Sequence, residues 1–256
     1  MNFPFYAQAP KETVTRCNLC ESKSFQLQNT VDRYGLTAPV VECKACGLVF
    51  LSSRMTPIAY RLFYEGGHYR RLLSEFYGKP ITAQSIEAEQ EVYATRLSGW
   101  LNPYKAQLWG GLLLDIGGST GVVADRLAKD FNLDATVVEP SEQEAQRARD
   151  KGLSVAPVPF EEYHAGGNHY DLITLCQTVD HLLDIKEAFQ HIRSLLSPRG
   201  LFFVDFVEDG PIKIDHPFYL TRRTMREFLF QTGFVTRALA KSEDGLHVNI
   251  LAESVQ

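Results

Sequence analysis

From Gly110 onward, short apolar runs alternate with amphipathic stretches, and this rhythm constrains the chain more than any other feature. Strand-like runs fall at 112–116, 135–139, 153–156, 170–175 and 200–207. Helical stretches fall between and after them, at 121–129, 142–151, 185–196 and 221–232. Such alternation predicts an α/β fold, a mostly parallel sheet wrapped by helices. The rhythm breaks at 235–241 and 247–253, two strands joined by a short Glu243-Asp244-Gly245 turn. The sheet should therefore end in a hairpin that contributes one antiparallel strand. Ligands of open sheets bind at the carboxyl ends of the strands, near the switch point beside the first one.

The turn after that first strand reads Asp115-Ile116-Gly117-Gly118-Ser119-Thr120-Gly121. A P-loop would need a lysine and a hydroxyl where Val122-Val123 stand, and the dinucleotide fingerprint fails in register because position 122 is valine. What remains resembles motif I of the class I S-adenosylmethionine (SAM) methyltransferases, D/E-x-G-x-G-x-G. Asp115, Gly117 and Gly121 match it, with Ser119 in place of the middle glycine and Gly118 beside it for flexibility. A serine permits that turn if its φ is negative. The resemblance implies a Rossmann-like methyltransferase sheet and SAM as cofactor. Asp115 would attract the cationic part of SAM, and Gly117, Gly118 and Gly121 would cradle it. Glu139, at the end of the second strand, would accept both ribose hydroxyls. Phe160 would pack on adenine, beside Pro159 where the family often has aspartate. Each of these also has a structural reading, as a packing glycine or a surface acid.

Ahead of this region stand two C-x-x-C pairs, Cys17-Asn18-Leu19-Cys20 and Cys43-Lys44-Ala45-Cys46, the second followed by Gly47. The spacing suits one tetrahedral Zn²⁺ held by four thiolates, with strands at 25–31 and 39–43 carrying the two knuckles as a zinc ribbon. Four sulfur ligands leave no open position, so the metal would be structural. Reduced cysteines or two disulfides are the alternatives. Cys176 reads as a buried small hydrophobe in a strand. Between ribbon and sheet the sequence is helical and aromatic, and Ile86, Tyr93, Leu97, Trp100 and Leu101 mark one amphipathic helix over 82–101. Gly66-Gly67, between Phe63-Tyr64 and His68-Tyr69-Arg70-Arg71, is either a lid hinge or a plain connection between helices. The expected organisation is a zinc ribbon over 1–53, a helical linker or lid over 54–109, and a SAM-binding domain over 110–256.

After the fourth strand of the sheet come Gln177-Thr178-Val179-Asp180-His181, the segment that faces both SAM and acceptor in this superfamily. His181 suits removal of a hydroxyl proton at neutral pH, with Asp180 adjacent in sequence; the rival reading is a capping residue. Zinc ribbon, aromatic helices and SAM fold, in that order, are similar to the zinc-containing sugar methyltransferases of deoxysugar and surface-polysaccharide pathways. Their C-methylating members carry Tyr-x-Glu-His where this chain has Thr178-Val179-Asp180-His181, and a further carboxyl-terminal domain. The resemblance thus implies O-methylation of a sugar or sugar nucleotide, with His181 and Asp180 catalytic and Gln177 beside the cofactor. Ubiquinone-type O-methyltransferases bind a divalent cation through Glu-x-x-Glu-His, which Gln177, Asp180 and His181 match only in part. Tyr64, Tyr69, Arg70, His216 and Tyr219 are candidate acceptor contacts, and Arg70, Arg71, Arg222 and Arg223 candidate partners of a sugar-nucleotide diphosphate.

Composition narrows the partners. The 256 residues carry a net charge of -5, which opposes a general grip on nucleic acid, although a nucleic-acid methyltransferase remains a rival. A non-catalytic binding module with a vestigial SAM fold is another. No apolar run approaches the roughly 18 residues of a spanning helix, and no leader-like segment opens the chain, so a cytoplasmic protein without membrane insertion is expected.

Overall fold

The computed structural model describes residues 3–208, 210–242 and 245–255. The amino-terminal part holds α1 (Pro4–Gln8), β1 (Lys11–Thr13), β2 (Phe25–Val31), β3 (Thr37–Cys43), β4 (Val49–Leu51) and β5 (Ser53–Met55). The strands at 25–31 and 39–43 are present, the second extended back to Thr37. Each C-x-x-C pair lies at a turn, and Gly47 takes φ +76 directly after the second pair.

Three helices follow, α2 (Pro57–Glu65), α3 (His68–Tyr77) and α4 (Ala83–Leu101), then the short α5 (Lys105–Leu108). Thr56 caps α2 through the Ala59 amide, with Pro57 at the first helical position where its missing N–H costs nothing. Thr82 and Ser85 form a capping box that starts α4 one residue inside the expected range. Gly66 and Gly67 occupy the tight connection between α2 and α3, whose aromatic side chains Tyr60 and Phe63 are buried together with Leu72.

The alternating region becomes β6 (Leu112–Ile116), α6 (Val122–Phe131), β7 (Asp134–Val138), α7 (Glu142–Asp150), β8 (Ser154–Ala156), β9 (Tyr170–Leu175), α8 (Ile185–Leu195), β10 (Leu196–Val207), β11 (Phe218–Tyr219), α9 (Arg222–Gln231), β12 (Phe234–Lys241) and β13 (His247–Ser254). Seven strands form one sheet in the order β12-β13-β10-β9-β6-β7-β8. Only β13 runs against its neighbours, pairing antiparallel with β10 and β12. Residues 243 and 244 of the expected hairpin turn lie outside the described residues. β10 begins earlier than expected because Leu196 already pairs with Tyr170, and a register shift before Leu201 absorbs the Pro198-Arg199-Gly200 stretch.

Successive side chains of a strand point to opposite faces, and both faces are covered. Phe202 packs with Ile173, Phe189 and Phe228 on one side, while Phe203 packs with Leu113, Val123 and Leu127 on the other. Burying each such phenylalanine contributes about 1.5–3 kcal/mol. Helix α4 joins the second face through Ala94, Leu97 and Leu101.

The amino-terminal sheet is completed from the far end of the chain. Its order is β11-β4-β3-β2, with Phe218 opposite Phe50 and Tyr219 opposite Val49. Asn18, inside the first cysteine pair, donates to the Asp184 carboxylate at 2.7 Å and accepts from the Ile185 amide at 3.0 Å at the start of α8. Arg54 donates to the Leu183 carbonyl at 2.9 Å, and Arg223 to the Cys46 carbonyl at 2.5 Å. No helix among the described residues is long and apolar enough to cross a membrane.

Candidate active site

The carboxyl ends of β6, β7 and β9 open into a cleft of about 1080 Å³, roofed by α2, α3 and α4. Its floor is the glycine turn. Gly117 (φ +69) lets its amide reach the Val138 carbonyl at 2.8 Å, and a Cβ there would fall 2.6 Å from Thr178. Ser119 adopts φ +50, not the negative value expected of it, so this position keeps the left-handed turn of a glycine and carries the strain that a side chain adds. The turn directs the Ser119 amide onto Glu139 Oε2 at 3.0 Å, while Oε1 accepts from the Ser141 amide at 2.8 Å. Glu139 lines the cleft and is only 8% exposed. Burial pushes its pKa up to about 7 against the pull of those two amides, and the nearby Glu144 and Asp115 carboxylates add to the rise.

Asp115 is not on the cleft wall. Its carboxylate lies beneath Gly118, where a Cβ would come within 2.6 Å of Oδ2. Oδ1 accepts from the Thr174 hydroxyl at 2.6 Å, Oδ2 has no hydrogen-bond partner, and burial raises the pKa to about 7. Any pull on a bound cation would act across the loop backbone. Phe160 lines the cleft with one edge while its ring stacks on His191 at 4.7 Å, and Gln177 lines it at φ +53. Cys176 falls one residue past β9, half-buried on the cleft floor, rather than inside the strand as expected.

His181, in a single 3-10 turn over Val179–His181, faces the same cleft. Its Nδ1 lies 2.7 Å from the Tyr64 hydroxyl and 3.0 Å from the Asp215 carbonyl, and Tyr64 itself donates to that carbonyl at 3.3 Å. The Asp215 carbonyl can only accept, so a proton on Nδ1 would satisfy it and leave the Nε2 lone pair unused. Burial lowers the pKa of His181; His216 and Lys213 lower it further, and Asp180 and Asp215 oppose them. Asp180 does not touch His181 through a hydrogen bond. It pairs with His216 Nδ1 at 2.7 Å, and although burial alone would raise the Asp180 pKa, His216, His181 and Lys213 hold it below the usual range. The His216 ring packs edge-on to His181 at 4.6 Å, and its Nε2 lies 3.3 Å from the buried Asp215 carboxylate, which sequence reasoning passed over.

The remaining candidates divide. Tyr64 and Tyr69 line the cleft against His181. Tyr219 does not line it, because its hydroxyl closes its own loop on the Lys213 amide (2.6 Å) and carbonyl (2.8 Å). Nor are the expected phosphate arginines free: Arg70 is paired with Glu144, Arg71 with Glu75, Arg222 with Glu208, and Arg223 with the second cysteine turn.

Away from the cleft, the sulfurs of Cys17, Cys20, Cys43 and Cys46 lie within 4.8 Å of one another and form no disulfide. The Cys17–Cys46 and Cys20–Cys43 separations are 3.4 and 3.5 Å. Sulfurs at ~2.3 Å from a tetrahedral Zn²⁺ would stand about 3.8 Å apart, so the donor set fits that ion with little movement.

A glycine turn closing one central strand against a buried acid on the next, beneath a cleft at the carboxyl ends of the strands, is the arrangement of doubly wound folds that bind nucleotide-type cofactors. Residues 93–239 match the family described as methyltransferase domain, and the chain belongs to that family. Ubiquinone biosynthesis O-methyltransferases are 24% identical over 119 residues (Bordetella avium) and 28% identical over 107 residues (Caulobacter vibrioides). These matches cover 44% and 39% of this chain, and only 49% and 42% of the relatives, so the chain spans under half of their length. Among solved structures, SAM-bound magnesium protoporphyrin IX methyltransferase from Synechocystis PCC 6803 superposes with a TM-score of 0.58 at 16% identity, covering 77% of this chain and 96% of that one. A SAM-dependent methyltransferase from Clostridium acetobutylicum gives 0.55 at 12%, covering 75% and 99%. At such identities the likeness is one of fold.

Proposed function

We propose that the protein methylates a hydroxyl of a small hydroxylated acceptor, a sugar or sugar nucleotide, with His181 as general base. The observation that carries this reading is the seating of His181: Nδ1 is committed to Asp215 and Tyr64, and Nε2 remains for a proton at the cleft. SAM supplies a methyl carbon activated by its sulfonium. Ser119 and Ser141 hold the Glu139 carboxylate for the ribose hydroxyls, and Phe160 and Gln177 flank the same end. The lowered pKa of His181 leaves it neutral and able to take the hydroxyl proton at neutral pH. O-methylation is supported by the names of the curated relatives, and a sugar by the resemblance to ribbon-bearing sugar methyltransferases and by polar side chains such as Gln90, Gln143 and Gln177 along the cleft. Cys17, Cys20, Cys43 and Cys46 would hold one structural zinc.

The deciding experiment is transfer of labelled methyl from SAM to a panel of sugars and sugar nucleotides by the parent chain and His181→Ala. We expect a labelled sugar product, and in the variant a kcat about 10²- to 10⁴-fold lower with cofactor affinity unchanged. Near-normal turnover in the variant would remove His181 as the base.

A further inference from the structure

Most cations along the cleft are neutralised by acids. Arg54 pairs with Glu12 at 2.8 Å, Arg61 with Glu65 and Glu162 at 2.8 and 2.9 Å, and Arg70 with Glu144. Three others on the cleft wall, Arg33, Lys79 and Lys213, have no carboxylate within ion-pair distance among the described residues. The acids behind them are otherwise engaged or turned inward. Asp32 accepts from the amides of Tyr34, Leu36 and Ile214, Asp180 is taken by His216, and Asp215 is fully buried.

The three cations belong to one neighbourhood. The Arg33 amide donates to the Ile212 carbonyl at 2.8 Å, which sets Arg33 beside Lys213. The Arg33 guanidinium lies over the Phe76 ring at 4.8 Å and reaches the Tyr77 hydroxyl at 3.5 Å, and Lys79 follows Tyr77 by two residues past the left-handed Gly78. A guanidinium carries five N–H donors, so one set over an aromatic ring and bonded to a single hydroxyl still has donors for a planar or tetrahedral oxyanion. Helix α3 relates this group to the chemistry. Tyr69 near its start faces His181 and Tyr77 is at its end, eight residues and thus about 12 Å further on. Lys213 lines the same cleft, with Nζ 3.3 Å from His216 Nε2.

We propose that Arg33, Lys79 and Lys213 form a phosphate subsite, so that the acceptor carries a phosphate ester beyond the hydroxyl presented to His181. This rests on the methyl-transfer reading of the cleft. It moves the anion grip from the arginines suggested by sequence to a site built from the ribbon, the end of α3 and the loop before β11.

The test is calorimetric titration of inorganic pyrophosphate and inorganic phosphate into the full chain preloaded with S-adenosylhomocysteine. It is repeated with the double variant Arg33→Ala, Lys79→Ala and with Lys213→Ala. A diphosphate acceptor predicts that pyrophosphate binds more tightly than phosphate and that the double variant weakens it at least tenfold. A monophosphate acceptor predicts equal binding of the two anions and a tenfold loss in Lys213→Ala. In both cases affinity for S-adenosylhomocysteine is unchanged. If both anions fail to bind, or bind all variants as they bind the parent, while S-adenosylhomocysteine binds normally, the subsite is overturned. Failure of S-adenosylhomocysteine itself to bind would instead overturn the reading of the cleft.

Discussion

Glu139 is held in a state that a ribose would change. Burial, reinforced by Glu144 and Asp115, raises its pKa to about 7, so near neutrality a fraction of the cofactor-free protein carries a neutral carboxyl. Ribose hydroxyls donate best to the ionised form, so cofactor binding should expel part of a proton near pH 7 and none at about pH 8.5. Calorimetry in buffers of different ionisation enthalpy reads this directly. Buffer-independent heat at pH 7, or an unaltered value in Glu139→Gln, would show that another group meets the ribose. The linkage has a second face. A carboxyl whose folded pKa is raised contributes full stability below its unfolded value and loses it as pH rises through about 7, so the free protein should soften between about pH 5 and 8. For His181 the sign is opposite. Its lowered pKa predicts that kcat climbs with pH through a value below the usual 6.5 and is flat by neutrality. A plateau reached only above about pH 8 would point to another base. That Glu139 and His181 line the cleft was legible from their places after the second and fourth strands of the sheet together with the family resemblance. The φ of Ser119 and the burial of Asp115 were not, because both depend on what packs against the loop from Val137 and Thr174.

Helix α8 shows how one element ties remote parts of the chain together. Asp184 caps it through the Glu187 amide, and Asn18 secures Asp184 and the Ile185 amide from outside. The five residues before α8 include His181, so an anchor on Asp184 is also an anchor on the proposed base. Asn18→Ala should cost about 1 kcal/mol of stability, in the range of a lost cap. It should also lower kcat and shift its acidic limb while leaving cofactor affinity intact, because the glycine turn and Glu139, which would meet the cofactor, hang from β6 and β7. Stability loss with unchanged kcat and pH profile would confine Asn18 to packing. The long strands were readable because apolar runs of five or more residues between turns declare themselves. β1, β4, β5 and β11 were not, being two or three residues long and pairing, β1 with β5 and β4 with β11, across long stretches of sequence. For that reason the segment around His216 and Tyr219 reads as a loop, although Phe218 and Tyr219 extend the ribbon sheet.

In the whole molecule the cysteine-rich part and the methyltransferase sheet share the acceptor side of the cleft. Asn18 and Arg54 hold the His181 loop, while β4 pairs with β11 directly after His216, and the Leu51 amide reaches the Pro217 carbonyl at 2.9 Å. Both histidine loops are thus fastened to the same small module, whereas the glycine turn is tied to the large sheet and, through Thr120, to Gln90 of α4, and Glu139 to the amides of Ser119 and Ser141. A cysteine cluster expected to be structural is joined, through these contacts, to the loops that carry His181 and His216. If zinc holds that module together, stripping the metal should separate the two halves of the site functionally. Elemental analysis should find about one zinc per chain. Protein treated with a strong chelator should keep S-adenosylhomocysteine affinity within about threefold, lose most of its turnover, and recover on adding Zn²⁺. Metal-free protein that remained equally folded and active would remove the metal from the ribbon. Equal loss of cofactor binding and turnover would mean that the sheet cannot stand without the ribbon, and that the coupling is one of global stability rather than of two loops held in place.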